Sequence, residues 1–189
     1  MSKTRSPAVA GSFYPAGADE LGRSVAAMLA AAQPEHAARP PKALIVPHAG
    51  YIYSGPVAAS AYARLAPLAG RIRRVVLLGP VHRVPVRGLA LPSVNAFATP
   101  LGDIPLDDAA MSAITDLPQV TVSDAVHAQE HSLEVHLPFL QSVLGDFQLL
   151  PLAVGDARPA EVAGVLERVW GGEETLVVIS SDLSHFLPY

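Results

Sequence analysis

Three short apolar runs, each breaking into a loop that carries a histidine, constrain the fold of this chain more than any other feature. Lys42-Ala43-Leu44-Ile45-Val46 leads into Pro47-His48, and Arg73-Arg74-Val75-Val76-Leu77-Leu78-Gly79 leads into Pro80-Val81-His82. Glu174-Thr175-Leu176-Val177-Val178-Ile179-Ser180 leads into Ser181-Asp182-Leu183-Ser184-His185. Runs of this length and make-up read as buried strands. Pro47 cannot donate to a sheet ladder, and Gly50 and Gly55 permit turn geometry. The first strand should therefore end near Val46 and hand His48 to a loop at its carboxyl end, which is where open α/β sheets bind ligands.

Between these runs the chain reads as helix. Ala18 to Gln33 carries Leu21, Val25, Met28 and Leu29 at helical spacing and stops at Pro34; His36 follows in a polar loop. Pro56 suits the first turn of a helix that continues from Val57 to Leu65. Strand, loop, helix and strand form a βαβ unit, so the strands ending before His48 and His82 are expected to be neighbours in a parallel sheet, apolar on both faces. Arg83 to Pro105 is punctuated by proline and glycine and reads as one or two short strands plus loop. Asp107 to Leu117 reads as a short helix with Asp107 or Asp108 near its start. A helix is expected again through His131-Ser132-Leu133-Glu134-Val135-His136-Leu137, with Pro138 at a kink or boundary. Phe147 to Val154 reads as a strand, Pro159 to Val169 as a helix and Leu176 to Ser180 as the last strand. The fold class is α/β, a mostly parallel central sheet flanked by helices, in a single domain over residues 1–189.

Composition narrows the chemistry. Half of the 189 residues are hydrophobic and only 16% are charged, enough for a substantial core. No apolar run reaches the roughly 18 residues that cross a bilayer, and Met1 to Ser6 lacks a signal-peptide core, so no membrane association and a cytoplasmic location are expected. With a net charge of -4 and only Arg71, Arg73 and Arg74 grouped, there is no footprint for nucleic acid. The chain has no cysteine, so a metal would rest on histidine, carboxylate and water. Neither a GxSxG elbow nor a glycine-rich phosphate loop is present.

His48 and His82, each following a strand and a proline, are the candidate metal ligands, because two imidazoles on one sheet edge offer two neutral nitrogens at a fixed separation. The segment His127-x3-His131-x2-Glu134-x-His136 is rich in ionisable groups, but on a helix His136 would lie about 140° from His131, unlike the paired histidines of HExxH or HxxEH. Glu130 or Glu134 instead suits a carboxylate that orients a ligand histidine or moves a proton, and His131 joins this catalytic set. Equally, the segment reads as a plain helix start with Glu130 near its positive end. Asp182 and His185 pair a carboxylate with an imidazole: His185 as proton donor or acceptor with Asp182 orienting it, or Asp182 as a helix cap.

Read together, Gly11-Ser12-Phe13-Tyr14-Pro15, Pro47-His48-Ala49-Gly50-Tyr51-Ile52-Tyr53-Ser54-Gly55, Leu78-Gly79-Pro80-Val81-His82, Glu130-His131-Ser132-Leu133-Glu134-Val135-His136-Leu137-Pro138 and Ser180-Ser181-Asp182-Leu183-Ser184-His185 resemble the Memo family, whose bacterial and archaeal members are called AmmeMemoRadiSam system protein B. The resemblance covers nearly the whole chain. It implies a fold related to the class III extradiol dioxygenases of LigB type, which hold non-haem Fe(II). It also implies a metal, iron or copper, on His48 and His82, completed in the family by a cysteine from a C-terminal segment that is expected to be lacking here. His185 matches an acid/base histidine of the dioxygenases. The family name implies radical SAM and AMMECR-type proteins as partners. Two functions follow: a metal-dependent redox protein, dioxygenase-like in its chemistry, with Asp182, Glu134 or Glu130 as a carboxylate ligand; or a binding module whose cleft, lined by Tyr14, Tyr51 and Tyr53, takes a peptide or small ligand without turnover.

Overall fold

The computed structural model describes residues 3–32 and 40–183. The chain opens with the short strand β1 (Thr4–Arg5), then helix α1 (Ala18–Ala31), strand β2 (Ala43–Val46) and helix α2 (Tyr51–Tyr62), which tightens into a 3-10 segment (Ala63–Leu68). Strand β3 (Arg74–Pro80) follows, then β4 (Leu89–Leu91), β5 (Ala96–Thr99), β6 (Gly102–Pro105), α3 (Asp108–Ser112), β7 (Val120–Val122) and α4 (Asp124–Ala128). A 3-10 turn (Glu134–His136) runs into α5 (Leu137–Leu144), and β8 (Gln148–Val154), α6 (Pro159–Val169) and β9 (Thr175–Ser180) complete the described order. No helix among the described residues is long and apolar enough to cross a membrane.

The main sheet has the order β2-β9-β3-β8-β4-β7; all pairs are parallel except β4 with β8. Alternation along β3 explains its central place. Val75 and Leu77 face one core with Leu21, Val25, Tyr62, Leu137 and Phe139, while Val76 and Leu78 face a second core with Ile114, Val165 and Val169. Side chains on both faces of β3 are therefore removed from water, as a helix-covered parallel strand requires. Strands β1, β5 and β6 form a second, small sheet, with β1 parallel and β6 antiparallel to β5.

Two expectations are corrected here. The strands ending before His48 and His82 are not neighbours: β9 lies between them, pairing Val46 with Ser180 on one side and Leu78 with Ile179 on the other. That insertion brings Ser180 and Asp182 to the same sheet edge as the two histidines. It also leaves β2 at the edge, with Ile45 62% exposed rather than buried. The second correction concerns α2, which starts at Tyr51 and contains Pro56 rather than starting with it. Tertiary packing fixes the earlier start: Tyr51 is buried beside Phe139 at 5.0 Å between ring centroids, its N–H donates to Phe13 O and its hydroxyl to Val135 O. Gly55, one turn on, lies against α1, where a Cβ would come within 2.6 Å of Met28 Sδ and the flexible end of that side chain would have to shift.

The expected helix through His131 is also absent. Residues 130–133 form a turn between α4 and the 3-10 segment. The Glu130 side chain captures the N–H groups of His131 and Ser132, each at 2.9 Å, and so substitutes for helical backbone partners.

Candidate metal centre

Three imidazoles meet at the carboxyl edge of the main sheet: His48 after β2, His82 after β3 and His131 from the Glu130 turn. One ring nitrogen of each lies within 4.8 Å of those of the other two. The ring centroids are 5.1 Å apart for His48 and His82, 5.7 Å for His48 and His131, and 4.5 Å for His82 and His131. Phe13 packs its edge against His131 at 4.8 Å. His48 is buried and His131 half-buried, whereas His82 is exposed, so the cluster opens to solvent on the His82 side.

Hydrogen bonds define which nitrogens face the centre. His82 Nδ1 lies 2.9 Å from Glu130 Oε1; an ionised carboxylate only accepts, so Nδ1 carries a proton and Nε2 is the ring nitrogen left for an ion. His48 Nδ1 lies 2.7 Å from Ser180 Oγ. Among the described residues His131 Nδ1 is buried without a hydrogen-bond partner, 3.3 Å from Glu130 Oε1. Burial holds the His48 and His131 imidazoles below their ordinary pKa against the pull of Asp182 on the first and Glu130 on the second, and the His82 ring lowers both further. Burial also works against ionisation of Glu130, but the N–H groups of Ser132 and His82 and the His82 ring outweigh it and hold its carboxyl below the usual range. Neutral imidazoles beside a fixed carboxylate are the state in which histidine donates a lone pair to a cation. Imidazole nitrogens suit zinc, copper, iron or nickel, at about 2.0–2.1 Å for zinc, so a shared ion requires only a small closing of the three rings.

The other carboxylates divide. Asp182 stays at the site, its Oδ1 accepting the His48 N–H at 2.7 Å and its Oδ2 3.8 Å from His48 Nε2. Glu130 presents both oxygens to His82, His131 and Ser132, in the orienting role weighed for it. Glu134 sits elsewhere. It is fully buried, with Oε2 taking Arg5 Nη1 at 2.8 Å and the Ala8 N–H at 2.7 Å, and Oε1 taking the Val9 N–H at 3.0 Å and the Tyr14 hydroxyl at 2.6 Å. No oxygen of Glu134 is left for an ion or a proton relay, so the structure gives this residue a clamping role in place of the catalytic one expected.

The three tyrosines do not share a cleft wall. Tyr14 and Tyr51 are buried with their hydroxyls bonded inside the protein, and only Tyr53 is exposed. His185 and His36 lie outside the described residues. Sequence reasoning missed Ser180, Ser132 and Arg5. Arg5 sits near the N-terminus two residues after Lys3, with nothing in its local sequence to mark it, yet its guanidinium joins His127 O, Glu130 O and Glu134 in one buried knot.

The two remaining histidines of the motif serve the fold. His127 donates from Nε2 to Ala90 O at 2.9 Å, and His136 Nδ1 pairs with the Tyr62 hydroxyl at 2.8 Å. Burial lowers His127 to about 4 and His136 to about 3. Both therefore stay neutral in the folded chain while the unfolded chain takes up protons below about pH 6.5. Stability present above that value is lost as pH falls toward these folded values, at about 1.4 kcal/mol per histidine per pH unit. Urea denaturation at pH 7 and pH 5.5 should differ by about 2–3 kcal/mol; equal stabilities would overturn the assignment of both as buried neutral groups.

Comparison with known proteins gives one consistent match. The family model described as Memo-like protein matches residues 5–189. A "MEMO1 family protein" of Aquifex aeolicus is 39% identical over 191 residues, covering 98% of this chain and 69% of the relative. Proteins of the same description from Ignicoccus hospitalis and Thermotoga neapolitana are 40% and 34% identical, covering 98% and 96% of this chain and 70% of each relative.

Proposed function

The chain belongs to the Memo family, and from that premise we propose that it is a metal-binding protein whose mononuclear non-haem centre is held by His48, His82 and His131. The observation that carries this reading is the convergence of three imidazole nitrogens within 4.8 Å at the end of a parallel sheet. The expected metal is redox-active, iron(II) or copper, and when bound it would supply Lewis-acid or one-electron chemistry. Glu130 holds the His82 ring, Ser180 the His48 ring, and Asp182 lies beside His48 Nε2 where a carboxylate can accept a proton or add a ligand. The open His82 side is the approach for a small substrate. A dioxygenase-like redox reaction is the activity this arrangement supports.

The test is metal content, measured by inductively coupled plasma mass spectrometry after anaerobic loading with Fe(II) or Cu and desalting. Wild type should retain about one ion per chain. His48→Ala with His82→Ala should retain essentially none, and His131→Ala should retain far less than wild type. Retention unchanged in the double variant would overturn the centre.

A further inference from the structure

Ser180 ends β9, the strand inserted between the two histidine-bearing strands, and its side chain is buried. Its Oγ has two partners, each at 2.7 Å: Ser132 O and His48 Nδ1. A backbone carbonyl only accepts, so the single hydroxyl proton goes to Ser132 O. The Ser180 oxygen is then the acceptor toward His48, which must carry its proton on Nδ1 and its lone pair on Nε2. Ser132 is itself fully buried and is tied on two further sides, its N–H to Glu130 Oε1 at 2.9 Å and its hydroxyl to Pro80 O at 2.7 Å. Gly79 makes room for that last bond, since a Cβ there would lie 2.6 Å from Ser132 Oγ. The backbone and side chain of one residue thus link the His48 loop, the strand end that carries His82, and the turn that carries His131.

We propose that Ser180 and Ser132 are positioning residues that set the tautomer of His48 and lock the three imidazoles in register before any ion arrives. This rests on the metal-binding reading for its purpose, but not for its geometry. It makes the centre asymmetric. His82 is backed by a carboxylate, which raises the donor strength of its ring, whereas His48 is backed by a neutral hydroxyl, which orients the ring without adding charge.

Two measurements on the whole chain test it. Long-range proton–nitrogen NMR spectra of the metal-free protein at pH 8 should show His48 as the Nδ1–H tautomer in wild type and in Ser180→Thr. In Ser180→Ala, His48 should move toward the Nε2–H form, while Ser181→Ala leaves it unchanged. Anaerobic titration with Fe(II) alone should show affinity about 10–100-fold weaker in Ser180→Ala, with recovery in Ser180→Thr. A wild-type His48 protonated on Nε2, or a Ser180→Ala protein with unchanged tautomer and unchanged Fe(II) affinity, overturns the proposal. A wild type that takes up no metal while showing the Ser180-dependent tautomer overturns the metal-binding reading and leaves the positioning role standing.

Discussion

Replacing Glu134 by alanine should cost about 3–5 kcal/mol of stability, the range for removing one partner of a buried ion pair. The magnitude follows from what remains behind. Arg5 has a side chain only 6% exposed, and Glu134 is the carboxylate that compensates its charge. Without it a guanidinium stays buried beside two carbonyls, and the N–H groups of Ala8 and Val9 and the Tyr14 hydroxyl lose their acceptor. Glu134→Gln should fall between wild type and alanine, because an amide keeps one acceptor oxygen but turns an N–H group toward donors. Arg5→Met combined with Glu134→Leu should recover part of the loss, since no uncompensated charge is then buried. Urea midpoints with constant m-values give these differences. A loss below about 1 kcal/mol in Glu134→Ala would contradict the clamp, and loss of metal from a folded Glu134→Gln would return Glu134 to the site.

The contrast between Glu134 and His131 shows how far the sequence was legible. Strand β3 could be read directly because Val75, Val76, Leu77 and Leu78 are apolar without alternation, which only a strand covered on both faces tolerates. Helix α6 was equally clear, with Pro159 at its first position. The α/β sheet was read from local patterns of this kind, whereas the Memo family was reached through the resemblance of five separate motifs, such as that from Pro47 to Gly55 and that from Ser180 to His185. The third imidazole was harder, because a helical wheel assumes that backbone N–H groups bond to backbone carbonyls. At residues 130–133 a carboxylate takes them instead, and the angular argument about His131, Glu134 and His136 no longer applies. The place of β9 between β2 and β3 is a non-local pairing, and nothing in either run encodes its neighbour. Ser180 is consequently invisible as a site residue until that pairing is known. Strands β1 and β7, of two and three residues, are too short to carry a period.

Glu130 is where fold and site meet, and Glu130→Ala should damage both. Its carboxylate accepts the His82 N–H, the His82 ring and the N–H groups of His131 and Ser132 while only 1% exposed. Deleting it leaves three backbone donors without their partner, at about 1–3 kcal/mol for each one that water does not reach. The cluster opens to solvent on the His82 side, so water entering the vacated space offsets part of this, and the net loss expected is about 3 kcal/mol. The functional effect is larger. Among the described residues no other hydrogen bond holds the His82 ring, so its tautomer and orientation are released and Fe(II) affinity should fall by about 10–100-fold even in the folded fraction. Glu130→Asp separates the two contributions, because a shorter carboxylate can reach the His131 and Ser132 N–H groups or the His82 ring but not both. Stability restored with affinity still weak would assign the ring contact to metal binding and the backbone contacts to the turn. Affinity equal to wild type in Glu130→Ala would show that His82 is held by its loop alone and that the carboxylate serves only the turn.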